Sequence, residues 1–439
     1  MTTIRWAFLT RAGSETDLLE EVGEASSPEV LAEGVVGVRA RPRGPDGGFR
    51  NLAFARQALS VVGVSALEAD EVAERLAAAL RTPTRADRDK VASGAGGTPS
   101  WSLQIVAPDS RDPHDPRRAA AQRLEELLPD LLASRLPASV RAQRVDEAAE
   151  AAELLQVWVL HSDGALLGRT SVSRALSSVP GGKSRLKRPV DALSRAGLKL
   201  EEAIEWIGVG PAKGELCADL GAAPGGWTQV ALRRGAAVIA VDPARVKIEA
   251  DPRKFTHVQE SAFQFAPPET LDWLLCDMAW RPLEVAKLLA KWARRGWAQQ
   301  FVANFKLPMK KKAEMVGTVL GVLQEAGWEG LRVRQLYHDR DEVTVYGWLR
   351  AGLVHRGAQA PFKLRSQTNK PSPLVQAAGR AAGAKTKGRT ATAKPSAARP
   401  SKGTPKPKSG SGKGPGARKA PASPRGGRVR AKPAPRSKT

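Results

Sequence analysis

The run Asp219-Leu220-Gly221-Ala222-Ala223-Pro224-Gly225-Gly226-Trp227 constrains what this chain can fold into more than any other segment. The apolar residues before it, Leu216-Cys217-Ala218, read as a buried strand, and 228–233 reads as the first turns of a helix. A strand, a glycine-rich elbow and a helix start make the βα turn at which open α/β sheets take nucleotide-like ligands. Glycine admits φ values that a Cβ forbids and lets the backbone come close to a bound group. The spacing is not that of a dinucleotide fingerprint, because no second glycine stands two residues after Gly221.

The residues around this turn extend the pattern. Strands are expected over 216–219, 237–242, 273–277 and 300–306, with helices from the glycine loop to 234, over 282–295 and over 309–326. An antiparallel pair over 332–338 and 342–349 closes the region. Upstream, strands are expected over 5–10, 34–39, 61–65 and 101–106, and a hairpin over 156–161 and 165–171. Helices are expected over 15–25, 70–79 and 116–128, the last ended or kinked by Pro129. The stretch 81–99 reads as a surface loop. The organisation that results is an α+β domain over 1–175, a basic linker over 176–193 and an α/β domain over 194–352. A helix over 194–206 opens the α/β domain and carries Lys199. Gly182-Lys183-Ser184, inside the linker, lacks the leading strand and the first glycine of a phosphate loop, so it is not one.

Charge is unevenly spread. The 439 residues carry a formal net charge of +24, yet 21 Lys and Arg and no acidic residue follow position 360. The remainder holds 48 basic against 45 acidic side chains and is nearly neutral. The 358–439 tail is therefore expected to be a disordered polycation, too poor in apolar residues to offset the entropy of ordering. A chain that is 42% hydrophobic can build real cores in the rest. Cys217 and Cys276 lie in apolar strand-like runs and read as buried thiols, and no metal-ligand spacing is present. No signal-peptide pattern or membrane-length apolar run occurs, so a cytoplasmic protein is expected.

Three strand ends carry chemistry beside the loop. Asp242 follows one strand, where a carboxylate can accept hydrogen bonds from ribose hydroxyls. Asp277 follows another, in Leu275-Cys276-Asp277-Met278, and Lys306 ends a third, in Asn304-Phe305-Lys306-Leu307-Pro308-Met309-Lys310. The carboxyl ends of parallel strands converge on one crevice, so a carboxylate, an amine and the glycine loop should meet there.

These segments resemble a known family. The Asp219-to-Trp227 loop is similar to the S-adenosylmethionine loop of FtsJ-like ribose 2′-O-methyltransferases. Together with Leu198-Lys199-Leu200-Glu201-Glu202-Ala203, Phe305-Lys306-Leu307-Pro308-Met309-Lys310-Lys311 and Arg334-Gln335-Leu336-Tyr337-His338-Asp339-Arg340-Asp341-Glu342-Val343-Thr344-Val345, it resembles the bacterial 23S ribosomal RNA cytidine 2′-O-ribose methyltransferase M family. More weakly, Phe8-Leu9-Thr10-Arg11-Ala12-Gly13 is similar to the start of that family's THUMP-containing region. The resemblance implies a Rossmann-like methyltransferase domain behind a THUMP-like, ferredoxin-like RNA-binding domain. It implies S-adenosylmethionine as cofactor and 23S ribosomal RNA, naked or in an assembly intermediate, as partner. The family's catalytic tetrad falls on Lys199, Asp277, Lys306 and Glu342. Cofactor positions fall on Ala223, Pro224, Gly225, Gly226, Trp227, Asp242, Ser261 and Asp277. Two positions depart: Ala196 stands where a small hydroxyl residue is expected, with Ser194 nearby, and Ser261, preceded by Glu260, stands where an acidic residue is expected at the adenine edge.

A ribose hydroxyl must lose its proton to attack a methyl group, and Lys306 is the candidate base. Burial and the neighbouring cation Lys199 would lower its pKa, while Asp277 and Glu342 would orient the two amines. Stabilisation of the alkoxide by Lys306 is the variant of that role. Two other functions fit the same fold: 2′-O-methylation of another RNA, and a catalytically silent RNA-binding or ribosome-assembly protein. The N-terminal domain, the 183–188 basic run and the tail are the expected RNA contacts.

Overall fold

Alternating strands and helices resolve into two seven-stranded sheets in the computed structural model, which describes residues 3–40, 51–82 and 98–349, all within the compact unit 1–370. The 358–439 tail and most of the 81–99 stretch lie outside the described residues. Among the described residues no helix is long and apolar enough to cross a membrane.

The N-terminal sheet is built from β1 (Trp6–Leu9), β2 (Pro28–Ala32), β3 (Val35–Val38), β4 (Gln57–Ala66), β5 (Trp101–Val106), β6 (Glu153–Val159) and β7 (Gly164–Ser171), in the order β2-β3-β1-β4-β7-β6-β5. β4 serves both halves of the sheet. Gln57 to Ser60 pair with β1, and Val61 to Ala66 pair with β7. Only β5 and β6 run parallel. α1 (Glu15–Val22) and α2 (Ala69–Arg81) precede β5, and between β5 and β6 the chain crosses through α3 (Pro116–Arg135) and the short α4 (Ala138–Arg141). α3 continues past Pro129, so the proline does not end the helix. Proline removes one helix hydrogen bond, but Leu124, Leu128 and Leu132 form a buried stripe across the break, packed on Val72 and Leu76 of α2. β2 escaped the reading because it is an edge strand, half-buried and opened by Pro28.

The second sheet has the order β10-β9-β8-β11-β12-β14-β13. β8 (Leu216–Leu220), β9 (Ala237–Val241), β10 (Phe255–Val258), β11 (Leu271–Cys276) and β12 (Ala298–Lys306) are parallel, whereas β13 (Trp328–Arg334) and β14 (Glu342–Leu349) are antiparallel. α5 (Ala196–Ile207) and α6 (Gly226–Arg233) cover one face, against Cys217, Trp273, Val302 and Tyr346. α7 (Pro282–Arg295) and α8 (Lys312–Glu325) cover the other, against Ala218, Leu274, Cys276, Phe301 and Phe305. This is the doubly wound arrangement expected of parallel strands joined by crossover helices. β10 was not expected, since Phe255-Thr256-His257-Val258 is a half-buried edge strand with little apolar signal.

Two further boundaries move. The strand expected over 332–338 ends at Arg334, and 335–341 forms a loop instead. α8 starts three residues later than expected, after Lys311 in a left-handed conformation. Phe8, Leu18 and Val36 of the N-terminal region join Leu274, Phe301 and Trp328 of the second sheet in one apolar cluster.

Candidate active site

Cross-strand pairing assembles the site. β12 and β14 pair in a register that sets Lys306 opposite Glu342 and Asn304 opposite Thr344. Their neighbours Phe305, Val343 and Val345 fill the core under α7 and α8, so alternation sends all four polar side chains towards α5. Asp277 follows directly after β11, the parallel neighbour of β12, and turns to the same side, opposite to buried Cys276. Lys199, in the first turn of α5, reaches down to meet them.

The tetrad expected from the sequence is brought together. Lys199 Nζ lies 2.6 Å from Glu342 Oε1 and 3.3 Å from Asp277 Oδ1. Lys306 Nζ lies 3.5 Å from Glu342 Oε2, so Glu342 bridges both amines. Burial favours the neutral form of Lys199, but the carboxylates of Asp277 and Glu342 outweigh it and raise its pKa. Asp277 is pushed up by burial, against the pull of Lys199. The desolvation expected for Lys306 is not present. Its side chain is 48% exposed, against 15% for Lys199, because it stands at the open rim of the sheet.

Sequence reading missed the residues that hold this cluster. Asn304 Nδ2 donates to Asp277 Oδ1 at 3.2 Å, and Thr344 Oγ1 donates to Asn304 Oδ1 at 2.7 Å. Thr344 also reaches Asp339 Oδ2 at 3.0 Å, and burial raises the pKa of fully buried Asp339 well above the usual carboxylate range. Glu202, one turn after Lys199, accepts from the backbone N–H groups of Tyr337 and His338 at 2.7 and 2.9 Å, and its carboxylate faces His338 Nδ1 at 2.6 Å. It thereby clamps the 335–341 loop to α5. From the other side, Gln335 N donates to Ala53 O, and Arg11 Nη1 donates to the carbonyls of Asp339 and Arg340. Period-two spacing from Lys306 and Glu342 was the available signal for Asn304 and Thr344; nothing local marks Glu202 or Arg11.

The glycine loop lies beside this cluster, at the carboxyl end of β8. Gly225 takes φ 121°, and a Cβ there would come 2.9 Å from Ile248 Cδ1. A Cβ on Gly226 would run into Ser194 Oγ, so the two glycines let α6 start directly against the segment leading into α5. Asp242 is oriented by Ala223 N on Oδ2 at 3.0 Å and Ala244 N on Oδ1 at 2.7 Å, which leaves lone pairs on both oxygens. Asp219 accepts from Thr228 Oγ1 at 2.6 Å, while its buried Oδ1 has no partner among the described residues. Burial pushes the Asp219 carboxyl up to about 7. Pro224 O accepts from Lys247 N, closing the loop. Ser261 begins the turn after β10, and its carbonyl accepts from Gln264 and Phe265; Glu260 precedes it, partly exposed. Trp227 lies apart from the loop's open side. It is buried between α5 and α6 and donates to Ala196 O at 2.9 Å.

A family model described as FtsJ-like methyltransferase matches residues 192–307, which include the glycine loop, Asp277 and Lys306. "Ribosomal RNA large subunit methyltransferase M" of Laribacter hongkongensis (strain HLHK9) is 46% identical over 197 residues, 40% of this chain and 56% of that protein. The protein of the same name from Marinomonas sp. (strain MWYL1) is 40% identical over 201 residues, 43% and 57% of the two chains. Against these two relatives the chain spans little more than half their length. The likeness to the Xylella fastidiosa (strain M12) protein of that name runs further, 36% identity over 314 residues, 68% of this chain and 82% of the relative. A match of that length extends beyond the second sheet. On that extent of likeness, this chain belongs to the ribosomal RNA large subunit methyltransferase M family.

Proposed function

We propose that this protein methylates a ribose 2′-hydroxyl of 23S ribosomal RNA, at a cytidine, using S-adenosylmethionine. The observation that carries the reading is the two-amine, two-carboxylate cluster: Glu342 joins Lys306 to Lys199, and Lys199 joins Glu342 to Asp277, beside the glycine loop. The loop residues fit the cofactor. Asp242 has free acceptor capacity for ribose hydroxyls, Asp219 keeps an unpartnered buried oxygen, and the backbone between Gly221 and Gly226 presents no bulky side chain. Ala223, Pro224, Gly225 and Gly226 would hold it, with Ser261 and Asp277 flanking. S-adenosylmethionine supplies a methyl group on a sulfonium, ready for in-line attack.

The chain's own residues divide the remaining work. Lys199, held charged by the carboxylates of Asp277 and Glu342, is a fixed positive centre and a poor proton acceptor. Lys306 is the amine that an incoming hydroxyl can reach. A ribose closing over it would bring its 2′-hydroxyl proton within reach of the amine, which Glu342 holds in place. Its present exposure and its contact with Glu342 support the second role as well, a cation that stabilises the developing alkoxide. Asn304 and Thr344 keep Asp277 aimed at Lys199. The exposed Arg185, Lys187 and Arg188 and the N-terminal THUMP-like region supply phosphate contacts.

Methyl transfer to 23S RNA, followed by mapping of 2′-O-methyl sites, tests the activity. Lys306→Ala should lower turnover by about 10²–10⁴-fold and spare cofactor affinity. Lys306→Arg separates the two roles, since a guanidinium cannot take the proton: comparable loss supports the base, and substantial residual activity supports the electrostatic role. Unchanged turnover in both variants would refute the assigned site.

A further inference from the structure

Buried charge that the catalytic cluster leaves unused collects where the N-terminal sheet, the 176–184 segment and the β13–β14 hairpin meet. A cavity of about 210 Å³ opens there, lined by Arg56, Ser178, Glu205, Trp206, Arg334 and Gln335. Arg56 is 2% exposed. Its Nη1 is held by Asp109 Oδ2 at 2.6 Å, but Nε and Nη2 have no acceptor among the described residues. Arg334 is 7% exposed, donates Nη1 to Leu176 O at 2.8 Å and stacks 5.2 Å from the Trp206 ring, yet Nε has no acceptor.

Among the described residues no carboxylate lies within ion-pair distance of Arg334. Burial and the neighbouring Arg332 push its pKa down to about 9. A guanidinium taken from water without a counter-ion is unfavourable, and N–H groups left without acceptors add to that. The carboxylates nearby are engaged or peripheral. Asp109 serves Arg56 and Lys183, and Glu202 is saturated by the 337–338 backbone and His338. Glu205 is exposed at the rim, and partial burial, with Glu202 and Glu201 near it, raises its pKa. The carbonyl that fixes Arg334 belongs to Leu176, whose φ of 67° is unusual for a bulky residue and marks a backbone held in strain.

We propose that this cavity binds a phosphate group. Its oxygens would accept from the unpartnered edges of Arg56 and Arg334 and from the Ser178 hydroxyl, in the forked geometry guanidinium groups offer tetrahedral oxyanions. The site stands on its own geometry. Only its assignment to an RNA phosphodiester, rather than free phosphate, rests on the RNA methyltransferase reading.

The test titrates inorganic phosphate into the full chain at pH 8, following thermal unfolding, for wild type, Arg334→Met and Glu205→Gln. Phosphate held by the basic tail is common to all three, so differences between them report the cavity. Apparent phosphate affinity should fall about ten- to a hundred-fold in Arg334→Met. It should rise roughly two- to five-fold in Glu205→Gln, which removes a rim carboxylate without touching the arginines. If Arg334→Met does not fold, the Glu205→Gln arm decides, and unchanged affinity there overturns the proposal. RNA binding at several salt concentrations then identifies the source. A salt slope shallower by about one in Arg334→Met assigns the site to an RNA phosphodiester. Altered phosphate affinity with an unchanged slope assigns it to free phosphate, whatever the enzyme's activity. Equal phosphate affinity in all three proteins would show a cavity filled by water.

Discussion

Asp219 holds its proton far longer than a surface aspartate, because it is fully buried at the carboxyl end of β8 with one oxygen unpartnered. Its folded pKa of about 7 lies above the value of about 4 expected in the unfolded chain. Between those limits the native state binds a proton that the unfolded state has released. The stability from the neutral acid is therefore intact below about pH 4 and lost as pH rises through 7. Asp219→Asn, which stays neutral, should escape that loss. Urea unfolding without cofactor should show the variant gaining on wild type by roughly a few kcal/mol between pH 4 and pH 8. The difference between the two proteins is the readout, since Glu21 and Asp339 are also shifted upwards by burial and contribute equally to both. A gap that does not change with pH would mean that Asp219 is ionised throughout.

At the scale of elements, the 335–341 loop positions Asp339 and leads into Glu342, and α5 holds it through Glu202. Glu202→Gln keeps one acceptor oxygen and loses the second, along with the charge facing His338. Turnover should drop by about ten-fold or more through misplacement of the loop, with cofactor affinity unchanged in calorimetry. Pro129 offers a stability test. Since α3 continues through it, Pro129→Ala should restore a helix hydrogen bond and raise the unfolding free energy by about 1–3 kcal/mol, measured in urea. These two elements also mark the limits of what the sequence disclosed. The strand ends bearing Asp242, Asp277 and Lys306 were legible because apolar runs locate strands and parallel strands share a functional edge, whereas Lys199 and Glu342, the latter opening an antiparallel strand, came from the family resemblance alone. Asn304 and Thr344 were legible in principle from the same alternation. Edge strands β2 and β10 have too little apolar periodicity to be seen. Arg11 and Asp339 lie 328 residues apart, and only the folded chain brings them together.

For the whole molecule, charge and architecture separate. The last 79 residues carry 21 basic side chains and no acid, and Glu342 precedes them all. Truncation after Gly357 should preserve the methylated position, weaken RNA binding most at low salt and flatten the slope of log affinity against log salt. Methylation at a different nucleotide in the truncated protein would assign the tail a part in recognition. The remainder is less divisible. Phe8 and Leu18 share a core with Phe301 and Trp328, and Arg11 braces a loop near the other end of the described chain. A chain emerging from synthesis folds its early segments first. Here the first strand must wait for Lys199, Asp277, Lys306 and at last Glu342 before the site it supports exists. No nascent fragment ending before residue 342 carries the complete cluster, so the proposed methyl transfer must wait until that residue has been made and paired with Lys306.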